Sequence, residues 1–193
     1  MRSLGELTGK SLVWRADLGL AINPNTERHY VLWDGQEPVV TAQVIWERQK
    51  FFDVIMECGE GTYQAHLDLT RPDRLSVAWK TGEEFSLAGL TVTSEGLITC
   101  EGLIKTHSGR NLVLAPTREI GYEYTIFAAG GPRMVTIAAF AKAIGGNPGE
   151  MSIAPEEAAD VEMPALVLMA FAVANEQVRL LHRSETQGYQ GNF

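Results

Sequence analysis

Cysteine is nearly absent from this chain, with Cys58 and Cys100 the only two. Neither has a second Cys or a His at ligand spacing, so a disulfide-dense scaffold and the usual zinc patterns are excluded. A single disulfide stays open, two reduced core cysteines being the simpler reading. His29, His66, His107 and His182 are scattered and form no His-x-x-x-His pair, so no metal and no cofactor is expected. Positive charge is also scarce. Sixteen Lys and Arg face 24 Asp and Glu, a formal net charge of −8, the wrong sign for a nucleic-acid binder, whose phosphate contacts come from clustered cations. The opening MRSLGELTGK lacks the apolar core of a secretory leader, which makes cytoplasmic residence the expectation. No apolar stretch reaches the ~20 residues of a transmembrane helix.

Catalytic motifs are missing in the same way. ELTGKS ends like a phosphate-binding P-loop, but Leu4 stands where the pattern needs Gly, and no strand precedes it. The glycines of ECGEGTY lie between two strand-like segments and open no helix, which fits a hairpin turn and not a dinucleotide site. No Gly-x-Ser-x-Gly elbow exists, and Ser108 in THSGR reads as a turn residue beside His107 rather than as an activated nucleophile. Asp53, Glu57, Asp68, Glu83 and Glu84 are plentiful carboxylates with no pattern that pairs them.

What is present is the signature of strands. The segments SLVWRA, RHYVLWD, PVVTAQVIW, KFFDVIME, TYQAHLDL, RLSVAW, EFSLAG, LITCEGLIK, NLVLAP, YEYTIFA and RMVTIAAFA are each bounded by turn chemistry such as Asp34-Gly35, RPD, TGEE or AGGPR. In TYQAHLDL, Tyr63, Ala65, Leu67 and Leu69 fall on one face and Gln64, His66 and Asp68 on the other, a strand with one wet side. Short strands at even spacing without helices between them predict an antiparallel meander that closes into a barrel or folds as a sandwich. Parallel architecture lacks the crossover helices it needs. IGGNPGEMS then reads as a Gly/Pro-rich linker, and Pro155-Glu156-Glu157 as the first turn of a short helix.

One apolar run remains, MPALVLMAFAVANEQ from Met163. Its alanine, leucine and methionine content favours helix over strand, and a helix is expected over about 164–181. No polar residue interrupts Ala165 to Ala174, so this helix has no wet face for a membrane surface or a protein exterior. It belongs inside protein. At about 27 Å it matches the height of a barrel of short strands. The alanines allow the wall to approach, while Leu166, Leu168, Met169 and Phe171 fill the core. Residues 1–183 are thus expected to form a single mainly β domain, an antiparallel meander closed into a barrel around a buried C-terminal helix. The polar residues 184–193 would be a loose tail.

The stretch DVEMPALVLMAFAVANE, together with YVLWDGQEPVVTAQVIW, resembles the tubby C-terminal-like superfamily, which includes the tubby domain, the phospholipid scramblases and the LURP-one-related proteins with their bacterial relatives. The resemblance implies a barrel around a central helix and a non-enzymatic binding or interaction module with a protein or membrane-lipid partner. Arg48, Lys50, Arg71 and Arg74 are the candidate contacts for an anionic headgroup. Asn175 stands where scramblase-like helices commonly carry Asp, which weighs against a calcium role there. The alternative is a lipocalin-like carrier with an apolar ligand in its cavity and the helix outside; an enzyme comes third.

Overall fold

The computed structural model describes residues 1–17, 27–47, 51–68, 74–79, 84–88, 102–106, 108–116, 123–128, 131–138 and 149–188. It is mainly β, an antiparallel sheet with one long C-terminal helix. The strands are β1 (Leu12–Ala16), β2 (Glu27–Asp34), β3 (Glu37–Glu47), β4 (Phe51–Cys58), β5 (Gly61–Asp68), β6 (Arg74–Trp79), β7 (Glu84–Ala88), β8 (Gly102–Lys105), β9 (Asn111–Pro116), β10 (Glu123–Ala128), β11 (Arg133–Ala138) and β12 (Gly149–Ile153). Helix α1 spans Met163–Gly188.

Consecutive strands pair antiparallel all along the chain, and β1 is bonded to β2 on one side and β12 on the other. Alternation in the sequence sets which face is buried. Tyr30 and Leu32 of β2, Val40, Ala42, Val44 and Trp46 of β3, Val54, Met56 and Cys58 of β4, and Tyr63 and Ala65 of β5 all point into the core. Their sequence neighbours face outward, except Val39, which is buried beside Val40 where the β2–β3 register shifts. Turns occur where the chain supplies Gly: Gly35 between β2 and β3 and Gly109 between β8 and β9 adopt φ of 61° and 84°, a region that a β-carbon disfavours.

Leu166, Leu168, Met169 and Phe171 are completely buried, as are Ala165, Ala170, Ala172 and Ala174 between them. Along its length α1 packs against β4, β5, β6, β10 and β11. Phe171 also meets Trp14 of β1 (ring centroids 4.4 Å apart) and Tyr30 of β2 (5.4 Å, edge-on). Trp14 in turn directs its indole N–H to the sulfur of Met151 in β12, at 3.4 Å.

The N-terminus adds a second layer at one end. Leu4–Leu7 form a 3-10 turn whose Leu4 and Leu7 are fully buried. The Glu60 carboxylate in the β4–β5 turn accepts from the Leu4 amide (2.7 Å) and the Ser3 hydroxyl (2.8 Å). Asp34 accepts from Arg2 (2.9 Å) and from Lys10. Gly5 lies so close to the Ala158 carbonyl that a β-carbon there would sit 2.4 Å from its oxygen. A larger residue would prise this turn away.

Three sequence expectations need correction. The expected linker IGGNPGEMS ends in β12, because Gly149, Met151 and Ile153 alternate inward while Glu150 and Ser152 face out; its residues 144–148 lie outside the described residues. Helix α1 continues through Ser184–Gly188, where the polar sequence leads one to expect a loose tail. That segment contains no Pro, and a helix propagates through polar residues without needing an apolar face. Pro155–Glu157 forms a 3-10 turn and not an α-helical one.

Candidate functional site

Three constellations of polar residues stand out. The first guards the start of α1. Glu162 is only 3% exposed, and its carboxylate accepts from the Ser108 amide (3.0 Å), the Ser108 hydroxyl (3.0 Å) and Arg110 (Nε at 2.9 Å, with a second contact from the guanidinium). Asp160 binds the same guanidinium at 2.7 Å and accepts from the Glu162 amide at 2.9 Å. Burial alone would raise the Glu162 carboxyl, but the Ser108 amide and Arg110 outweigh it and hold it below the ordinary glutamate value. These groups tie the acidic entry of the helix to the β8–β9 hairpin. Every part of that arrangement is satisfied internally, which suits a latch more than a site.

The second lies on the outward faces of β2 to β5. His66 Nδ1 is 2.7 Å from Asp53 Oδ1, and His29 Nε2 is 2.8 Å from Glu27, whose carboxylate also accepts from Gln43. These are cross-strand and same-strand pairs on an open surface. Among the described residues no group of three or more His, Cys, Asp or Glu could hold a metal. Cys58 is buried as a free thiol, its pKa pushed up to about 12 by burial and by Glu60, far from the thiolate a nucleophile needs.

The third is a groove of about 550 Å³ on the outside of β10, β11, β12 and the start of β1. Ala138, Thr136, Ser152 and Ser11 line it between Glu123 and Glu150 and, along the strands, Arg133 and Lys10. Register explains the layout. Glu123 and Glu150 are both cross-strand partners of Ala138, one on either side, and Thr136 lies between Thr125 and Ser152. The Thr125 and Thr136 hydroxyls bond at 3.1 Å. Arg133 and Glu150 are exposed and make no ion pair among the described residues.

Of the headgroup candidates, Arg48, Lys50 and Arg71 lie outside the described residues. Arg74 opens β6 without a described side chain. None of the four therefore has a described side chain. Lys10 and Ser11 belong to ELTGKS, weighed in the sequence only as a phosphate loop, whereas Glu123, Arg133 and Glu150 carry no sequence signal; the four charged residues are dispersed over the chain and meet only through the fold. Asn175, 3% exposed, has an amide nitrogen with no acceptor among the described residues. Within those residues no helix is long and apolar enough to cross a membrane. Comparison with family models, curated proteins and solved structures finds no match to this chain.

Proposed function

We propose that this protein is a non-enzymatic binding module of the tubby and scramblase type, a β-barrel closed around its own helix that meets a protein or membrane-lipid partner through its outer face. The observation that carries the reading is the position of α1. Residues 163–174 are at most 1% exposed where apolar, and the helix meets β4 to β6, β10 and β11 while Phe171 reaches β1 and β2. Contacts to strands so widely separated along the chain support a helix on the side toward which all of them face. A carrier of the lipocalin kind needs that volume for its ligand, and its external helix would keep a wet face.

Two titrations test the reading. A fluorescent fatty-acid probe should find no saturable apolar site in the native protein, and stoichiometric uptake would revive the carrier. Co-sedimentation at low salt with phosphatidylcholine vesicles, with and without phosphoinositide, tests the lipid version. Retention on either vesicle supports it; failure on both leaves a protein partner.

A further inference from the structure

Residues 1–9 lie across one end of the sheet in the manner of a bound peptide. The 3-10 turn Leu4–Leu7 carries two leucines three apart, both fully buried. Glu60 of the β4–β5 turn caps this turn, accepting from the Leu4 amide and the Ser3 hydroxyl. Beside it the Gly59 amide donates to the Arg2 carbonyl at 2.9 Å, and at the far end the Gly9 amide donates to the Ile153 carbonyl of β12 at 2.8 Å. Gly5 against the Ala158 carbonyl, and Gly59 against the backbone of Arg2 and Ser3, approach too closely for a β-carbon. Arg2 reaches Asp34 and Glu37 at the β2–β3 turn. The receiving surface therefore reads a defined pattern: a cation, a hydroxyl, then Leu-Gly-x-Leu.

We infer that this end of the sheet is a docking surface for a cationic Leu-Gly-x-Leu turn of a partner protein, and that residues 1–9 are a releasable strap occupying it in cis. The inference concerns the end of the sheet and is independent of the outer-face reading above. Among the described residues only two backbone hydrogen bonds, those of Gly59 and Gly9, join the strap to the rest. Its ion pairs to Asp34 and Glu37, at 2.9 and 3.4 Å, are screened by solvent. Leu4 and Leu7 supply the remaining hold. A terminal segment held by so few bonds opens locally while the ladders stay intact. Gly9, with φ of 71°, stands where the strap meets β1 and can absorb the change of direction. Once the strap leaves, Glu60, Asp34 and the two leucine sockets are presented together to a segment of the same chemistry.

The probe is a fluorescent peptide of residues 1–9, MRSLGELTG, labelled at its carboxyl end and titrated into the full chain by anisotropy. Two full-chain variants weaken the strap and leave the surface beneath it unaltered: Gly5→Val, whose side chain meets the Ala158 carbonyl, and Leu4→Ala. Both should melt cooperatively and bind the peptide saturably. Wild type should bind it at least about tenfold more weakly, because its surface is free only in the fraction of molecules with the strap open. The same peptide with both leucines replaced by alanine should bind none of the three. Cys58, buried next to Gly59 at the edge of the strap, reports opening: its alkylation, mapped by mass spectrometry, should be about tenfold faster in the variants. Excess MRSLGELTG should restore the slow rate. A folded variant that takes up no peptide, or takes up the leucine-free peptide equally well, would overturn the inference. Failure of both variants to fold would overturn it too, since the strap would then be an integral part of the fold.

Discussion

Phe171→Ala is the perturbation whose size follows most directly from the packing. The ring is fully buried and touches Trp14 and Tyr30 at centroid distances of 4.4 and 5.4 Å. Truncating a buried Phe costs about 3–5 kcal/mol, because transfer free energy is lost and a cavity is left. Aromatic pairs contribute about 0.5–1.5 kcal/mol beyond burial, so the upper half of that range applies. For a chain of this length each kcal/mol moves the melting temperature by about 2–4 °C, which gives a fall of about 8–20 °C. Urea denaturation should show a lower midpoint with an unchanged m-value. The Trp14→Ala, Phe171→Ala cycle should show a coupling of about 0.5–3 kcal/mol, since the two rings share one contact. Aspartate at 171 or 168 is more severe: an unpaired charge in the core should abolish soluble folding. An F171A protein melting within about 2 °C of wild type, the scale of a surface change, or a soluble and cooperative F171D, would refute the buried position.

The latch and the N-terminal layer make further predictions. Glu162→Ala leaves the Ser108 amide without its acceptor and the half-exposed Arg110 with Asp160 alone, and should cost about 1–3 kcal/mol; a neutral effect in urea titration would show that the latch is dispensable. Glu162, Glu27 and Asp34 are all held below their ordinary values, so their stabilisation is complete above about pH 4.3, the unfolded glutamate value, and is lost as pH falls through the lower folded values. The acid limb of the stability profile should flatten in E162Q, and an unaltered limb contradicts the assignment. Leu7→Ala should cost about 2–5 kcal/mol as a buried truncation, while Arg2→Ala, at a solvent-screened ion pair, should change little; the reverse ranking would mean that the N-terminal turn is held by charge and not by packing.

Most of the strands were legible because each carries its own two-residue alternation and ends in its own turn chemistry. The helix was legible for the opposite reason, the lack of any polar face between Ala165 and Ala174. β12 escaped because Gly and Pro dominate the sequence before it, and one of its two partners, β1, lies far back in the chain. The acidic entry Asp160–Glu162 was visible, but its partner Arg110 is about fifty residues upstream. The groove is the extreme case. Its charged residues come from four separate segments, and only register places Glu123 and Glu150 on either side of Ala138. The cations that cluster in the sequence are instead turn residues such as Arg48 and Arg71, which lie outside the described residues.

Native-state hydrogen exchange of the α1 amides from Leu166 to Ala174 tests the central claim most directly. A helix enclosed by the sheet can exchange only when the sheet opens, so the opening free energies of these amides should equal the global unfolding free energy from urea and fall in parallel with it. Exchange of the same amides at markedly lower free energy, with the β2–β5 ladder still protected, would mean that the helix detaches from an intact sheet and lies on its outside.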